Sequence, residues 1–243
     1  INEAILKGAS AVITNEKVEK KIQLTPLIRV KDVRKSLSEA SSNFYKKKPL
    51  NIIAVTGTNG KSSVADFFYQ ILNINKISAA SIGTLGIFSK NFKKKTNLTS
   101  MDPLSLHRNL EILAKKKISH VILEASSHGL EQKRLDNLNI KTGIFTNLSH
   151  DHLDYHKNMK SYFNSKLYLF KNLLKKNSRI ITDEDNKEFN IIKNIANKRK
   201  MKIISIGSSS GNIKILSNKY KENIQVVKFS INSKIFFIKV PLI

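Results

Sequence analysis

Thirteen consecutive residues, Asn51-Ile-Ile-Ala-Val-Thr-Gly-Thr-Asn-Gly-Lys-Ser-Ser63, restrict what this chain can fold into more than any other stretch. The first half is apolar and β-branched, the pattern of a buried parallel strand. Gly57-Thr58-Asn59-Gly60 breaks it, and Lys61-Ser62-Ser63 opens a segment from Val64 to Leu72 with helical spacing of apolar residues. Strand, glycine loop, lysine, hydroxyl and helix in that order form a phosphate cradle. Loop amides and the helix N-terminus point at an anion, and the helix dipole adds to the attraction. Lys61 places a compact positive charge on outer phosphates, and Ser62 offers an oxygen to Mg²⁺. The common pattern G-x-x-x-x-G-K-[ST] asks for glycine at position 55, which is Val55; the earlier glycine here is Gly57. An ordinary βα turn with a chance lysine is the alternative.

The remaining pattern predicts an α/β fold, a mainly parallel P-loop-like sheet flanked by helices on both faces. Strands are expected at 51–56, 78–82, 118–125, 140–146, 179–182 and 201–206, and a short extended piece at 86–92. Helices are expected at 62–74, from Pro103 to about Lys116, from Met159 to Leu174, and at 186–199. Three strand-like runs follow Gly211 (212–216, 223–229 and 234–240) with no helix between them, and read as antiparallel additions at one sheet edge. Ahead of the glycine loop come a helical start at 2–7, strands at 8–14 and 27–30, and a helix capped by Asp32 that runs to about Tyr45. That is too little for a core of its own. Residues 1–48 therefore read as the tail of a preceding domain with a connecting helix, and 49–243 as the main domain, Pro49 disfavouring helix at Lys48. The chain starts at Ile1 and stops on Pro241-Leu-Ile243, so it reads as a fragment.

Composition narrows the classes. The 243 residues are 40% hydrophobic and contain no cysteine, which excludes disulfides, thiolate metal sites and a cysteine nucleophile. No apolar run approaches a membrane span and no signal peptide is visible, so a cytoplasmic chain without membrane insertion is expected. The net charge is +25, from 43 basic and 18 acidic residues. The lysines are scattered, as in Lys46-Lys-Lys48, Lys93-Lys-Lys95, Lys115-Lys-Lys117 and Lys198-Arg-Lys200, mostly at element ends. No aromatic-interleaved basic stripe accompanies them, so nucleic acid is not the expected partner.

Ligands of open parallel sheets bind beyond the carboxyl ends of the strands. Glu124-Ala-Ser-Ser-His-Gly-Leu130 follows one strand, and Asn147-Leu-Ser-His-Asp-His-Leu-Asp-Tyr-His156 follows another. Glu124 ends an apolar strand, where a carboxylate is costly unless paired or on a metal. It is either a hard oxygen ligand for Mg²⁺ beside the phosphates or a strand-end glutamate bridged to a lysine. The 147–156 segment holds three of the six histidines together with Asp151 and Asp154, a density that points to a metal and nucleotide site. Lys166 lies among apolar and aromatic residues in Ser161-Tyr-Phe-Asn-Ser-Lys-Leu-Tyr-Leu-Phe170. On the buried face of its helix it would have a depressed pKa; on composition alone it reads as a snorkelling surface lysine.

Together these motifs resemble the Mur ligase family, and within it the ligases acting on UDP-N-acetylmuramoyl-L-alanyl-D-glutamate. The resemblance spans about residues 50–243, with the earlier part similar to the tail of the family's UDP-binding domain. Its most specific carriers are Glu124-Ala-Ser-Ser-His-Gly-Leu with Gln132 and Arg134, and Thr146-Asn-Leu-Ser-His-Asp-His-Leu-Asp-Tyr-His156. Ser126-Ser-His-Gly129 and His152-Leu-Asp-Tyr-His156 set it apart from the folylpolyglutamate synthetases. The resemblance implies that ATP phosphorylates the free D-glutamate carboxylate and that an amino acid's amine attacks the acyl phosphate. It implies that Gly57 to Ser63 hold ATP, with Lys61 on the phosphates. Ser62 and Glu124 would face one Mg²⁺, and His152 with Lys166 a second, Lys166 carrying CO₂ as a carbamate. Thr99, Ser100, Ser126, Gln132 and Arg134 would contact the UDP-N-acetylmuramoyl-dipeptide. The second substrate would be a diamino acid, meso-diaminopimelate with lysine as the rival, and the enzyme a monomer. Two features depart from the family. Asn97-Leu-Thr-Ser-Met-Asp102 has Ser100 and Met101 where the family has threonine and proline, which loosens that loop. The family's third domain, which recognises the amino acid, is absent, so the chain alone is expected to bind nucleotide weakly and not to complete ligation.

Overall fold

A computed structural model describes residues 1–17 and 25–241. The elements in chain order are α1 (Asn2–Leu6), β1 (Val12–Thr14), β2 (Leu27–Arg29), α2 (Val33–Phe44), β3 (Asn51–Thr56), α3 (Lys61–Ile74), β4 (Ala79–Gly83), β5 (Gly86–Ser89), β6 (Phe92–Lys94), α4 (Pro103–Lys115), β7 (His120–Glu124), α5 (Ser127–Glu131), β8 (Ile140–Phe145), α6 (Leu153–His156), α7 (Met159–Tyr168), a π-helical turn (Leu169–Leu173), β9 (Arg179–Asp183), α8 (Phe189–Lys198), β10 (Lys202–Gly207), β11 (Ile213–Lys221), β12 (Ile224–Ile231) and β13 (Lys234–Pro241). Residues 242–243, the end of the segment expected to start at 49, lie outside the described residues.

Eleven strands form one sheet in the order β13-β12-β11-β10-β9-β8-β3-β7-β4-β5-β6. The seven from β11 to β4 run parallel, as the alternation of strands and helices requires. Antiparallel pairs close both edges. Two expectations are corrected here. The first run after Gly211 is a parallel strand, registered Ile206↔Ile213 against β10, so only β12 and β13 are antiparallel additions at that edge. The piece expected at 86–92 is a hairpin of two strands, which gives the opposite edge its own antiparallel pair. β1 and β2 pair in a separate parallel sheet.

β3 sits in the interior of the sheet between β7 and β8, and its residues from Ile52 to Thr56 are buried. Burial on both faces accounts for its unbroken apolar run. The registers Val55↔Glu124 and Thr56↔Phe145 bring three strand ends level. The main core packs β3, β7 and β8 against α4 and the π-helical turn through Ile52, Leu110, Val121, Phe145 and Phe170. A smaller cluster on the other face seats α3 through Val55, Ala65 and Ile122. Asp32 caps α2 by accepting from the Lys35 amide, as its position predicts. α2 is docked by the Ser38 hydroxyl, which donates to the Asp136 carbonyl at 2.7 Å.

Candidate functional site

The three strand ends feed three loops that are laced together. After β3, the Thr58 amide donates to the Asn147 carbonyl at 2.9 Å and the Asn59 amide to Asn147 Oδ1 at 2.9 Å. Thr146 Oγ1 returns a hydrogen bond to the Asn59 carbonyl at 2.7 Å. Gly57 adopts φ +147°, and a Cβ there would drive into Thr146 Oγ1, so the closeness of the two loops demands glycine. Gly60 is the N-cap of α3, and the first turn of that helix begins with Lys61.

Lys61 folds back on its own loop, donating to the Thr58 carbonyl at 2.6 Å and the Gly57 carbonyl at 3.1 Å. Burial lowers its pKa, with Glu124 and then Asp151 pulling the other way. Lys166 donates to the same Gly57 oxygen at 2.7 Å. Its side chain is 1% exposed, so the snorkelling reading is overturned: this helix turns the lysine inward to the loop. Burial first, then the Lys61 ammonium, push its amine down to about 7, against a restoring pull from Asp151.

Glu124 is 3% exposed and takes three donors. Ser62 Oγ donates to Oε2 at 2.9 Å, the Thr84 amide to Oε1 at 2.9 Å, and Thr84 Oγ1 to Oε2 at 3.2 Å. Hydroxyls and an amide therefore satisfy it, and among the described residues no ion pair includes it. Gly83 makes room, since a Cβ there would collide with the carboxylate. Thr84 is a site residue the sequence reading missed; its signal was its place directly after β4, where the other functional loops also begin.

His152 holds a left-handed φ of 51° at the start of α6, and its amide donates to Asp151 Oδ1 at 2.9 Å. Such a conformation in a histidine is strained and clusters at functional sites. Its ring lies edge-on to His128, centroids 5.2 Å apart, and Nε2 is 3.4 Å from Asp151 Oδ2. His128 belongs to a motif read as specific but was not singled out.

A cavity of about 290 Å³ collects these groups, lined by Thr58, Asn59, Gly60, Lys61, Ser62, Ser63, Thr84, Thr99, Glu124, Ser126, Ser127, His152 and Lys166. Four predicted residues stand behind that lining. Gly57 contributes the carbonyl shared by the two lysines. Ser100 is 4% exposed; its hydroxyl donates to the Glu124 carbonyl and accepts from the Ser126 amide, each at 2.9 Å. Arg134 donates to the Ser100 carbonyl at 2.6 Å and clasps Gln132 Oε1, and Gln132 donates to Tyr155. The loop expected to be loosened by Ser100 and Met101 is thus anchored, and Met101 itself is buried at 6% exposure. A larger basin of about 690 Å³ at the opposite strand ends is lined by Lys76, Lys90 and Lys115 to Lys117. Lys115, in the last turn of α4 there, offsets that helix's dipole.

The donors fit a nucleotide with magnesium. Loop amides, a helix N-terminus and Lys61 suit phosphates. Among the described residues no three His, Asp or Glu side chains form a metal cluster. Mg²⁺ needs none, since it usually takes one or two carboxylates with substrate phosphates and waters.

A family model described as the Mur ligase middle domain matches residues 55–243. The chain is 40% identical over 247 residues to the UDP-N-acetylmuramoyl-L-alanyl-D-glutamate--2,6-diaminopimelate ligase of Rickettsia bellii (strain RML369-C), covering 100% of this chain and 51% of that protein. A solved structure of a ligase of the same name superposes with a TM-score of 0.83 at 28% identity, covering 99% of this chain and 49% of the other. The MurF ligase from Thermotoga maritima in complex with ADP shares the fold, with a TM-score of 0.60 at 19% identity, covering 98% and 51%. The chain spans about half the length of the curated relatives it matches.

Proposed function

The chain belongs to the Mur ligase family, and from that premise we propose that it supplies the phosphoryl-transfer half of an ATP-dependent amide ligase. The ligase adds meso-diaminopimelate to UDP-N-acetylmuramoyl-L-alanyl-D-glutamate in peptidoglycan precursor synthesis, in the cytoplasm and as a monomer. The activity named for its relatives supports that choice of amino acid over lysine. In this assignment residues 1–48 are the tail of the UDP-binding domain with its connecting helix, and 49–243 belong to the central domain.

The observation that carries the reading is the single cavity on which Lys61, Ser62, Glu124, His152 and Lys166 converge. Loop amides and Lys61 hold the phosphates, Lys61 exchanging the Gly57 and Thr58 carbonyls for phosphate oxygens. Ser62 and Glu124, the latter steered by Thr84, would face one Mg²⁺. His152 and a carbamate on Lys166 would hold a second. Metals bound there would supply charge neutralisation for the transferring phosphoryl group. A buried amine lowered to about 7 is available to CO₂ near neutral pH, which supports the carbamate. Thr99 and Ser126 present hydroxyls on the cavity wall to the muramyl-dipeptide, while Ser100, Gln132 and Arg134 hold that wall.

The test labels the D-glutamate side carboxylate with ¹⁸O and follows the label in the full-length protein. An acyl phosphate carries one labelled oxygen into inorganic phosphate. Unlabelled phosphate with ATP consumed would instead identify a simple nucleotide hydrolase. Competition between diaminopimelate and lysine then decides the amino acid.

A further inference from the structure

Resting on the reading of Lys166 as the carbamate site, one further residue acquires a task. Tyr162 stands one turn before Lys166 on α7, and helical side chains lean toward the N-terminus, so the lysine lies back over the ring. Lys166 Nζ is 4.2 Å from the ring centroid and 2.7 Å from the Gly57 carbonyl oxygen. Tyr162 is fully buried, and its hydroxyl lies 3.2 Å from Thr58 Oγ1. That oxygen also accepts from the Ser149 amide at 3.0 Å, so the ring is fixed against both loops.

An aromatic face and a carbonyl oxygen are both electron-rich. Each favours an N–H bond and repels a lone pair. A neutral amine has two N–H bonds and one lone pair. With one N–H on Gly57 and the other on the ring, the lone pair is left facing the remaining side, the cavity shared with Lys61, Glu124 and His152.

We infer that Tyr162 is a positioning residue for Lys166: its ring face, together with the Gly57 carbonyl, takes up the amine's N–H bonds and aims its lone pair at CO₂ entering through the cavity. In the step the lone pair forms the N–C bond and one C=O π pair moves onto oxygen. The nitrogen then gives one proton to water, leaving R–NH–COO⁻. The remaining N–H still suits the Gly57 carbonyl, and the new carboxylate occupies the metal side.

The experiment measures the rate of carbamate formation by ¹³C NMR exchange between the protein and ¹³C-bicarbonate, with Lys166→Met identifying the signal. Tyr162→Phe keeps the ring face and loses only the hydroxyl contact, and is expected to match the wild type. Tyr162→Leu, and a ring-fluorinated phenylalanine at the same position, are expected to slow carbamate formation about threefold at equal bicarbonate, because an amine no longer held by the ring spreads its lone pair over three staggered orientations. The fluorinated ring keeps the shape and so reports even if the leucine variant does not fold. An unchanged rate in the fluorinated protein, or an equal slowing in Tyr162→Phe, overturns the inference. A wild type with no carbamate signal overturns the Lys166 reading beneath it.

Discussion

Replacing Lys166 by methionine is expected to flatten the pH dependence of stability. The lysine is 1% exposed, and its amine titrates at about 7 in the fold against 10.5 for an unburied lysine. Between those values the unfolded chain carries a proton that the folded chain lacks. Unfolding therefore takes up a proton there, and stability rises with pH across the window. Below about 7 both states are protonated and the full cost of burying the cation is present. From pH 6 to pH 9.5 the relief is about 3 kcal/mol, at roughly 1.36 kcal/mol per unit above the folded value. For a chain of this size that corresponds to about 6–12 °C in Tm. The methionine variant lacks this term, and the other titrating groups cancel in the difference between the proteins. Urea or thermal unfolding at the two pH values measures it. The buffer must be free of CO₂, which would trap the neutral amine and stabilise the wild type alone. Parallel stability profiles for the two proteins, within about 1 kcal/mol, would refute the claim that Lys166 is buried against its charge.

Gly57→Ala puts a methyl group into Thr146 Oγ1 at a positive φ, and is expected to cost about 1–3 kcal/mol in thermal unfolding and to abolish nucleotide binding. Thr84→Val removes one hydroxyl donor from Glu124 and keeps the amide. It is expected to cost about 1 kcal/mol and to raise the Mg²⁺ concentration needed for nucleotide binding, read by calorimetric titration. Glu124→Gln is expected to leave the fold intact and to weaken Mg²⁺-dependent nucleotide binding at least about tenfold in the same titration. The 243 residues alone are expected to bind ATP weakly and form no amide; amide detected by mass spectrometry would contradict that.

Much of the fold was legible because period and punctuation are local. The strand at 51–56, the cap at Asp32 and the helix opening on Pro103 were each set by neighbouring residues. What escaped depends on partners distant in sequence. The helix expected from 159 to 174 ends early and continues as a π-helical turn. Arg199, on another element, caps that turn by donating to the Leu174 carbonyl at 2.6 Å. The parallel docking of β11 follows from its register on β10, which no residue of β11 encodes. Lys166 was misread on composition because a lysine among aromatics looks the same whether its stem covers a surface or enters a site. The four-residue spacing from Tyr162 was the available signal, since it places ring and amine on one helix face.

The candidate site shows the same division between letters and adjacency. The sequence names a loop, a glutamate and a histidine run, with Glu124 61 residues after Ser63 and His150 a further 26 on. Their chemistry depends on β3 lying between β7 and β8, both of which are formed later in the sequence. That order sets Glu124 within 2.9 Å of Ser62 and lets Asn147 take two loop amides. Were β7 and β8 exchanged for outer strands, the same residues would stand about 5 Å further off per strand, beyond any shared hydrogen bond. Glu124 would then lose the Ser62 hydroxyl and keep only the Thr84 donors after β4, a less fully satisfied carboxylate. The strand order that sets β7 beside β3 therefore both completes the carboxylate's hydrogen bonds and brings it to the phosphate loop, so one adjacency serves the fold and the site.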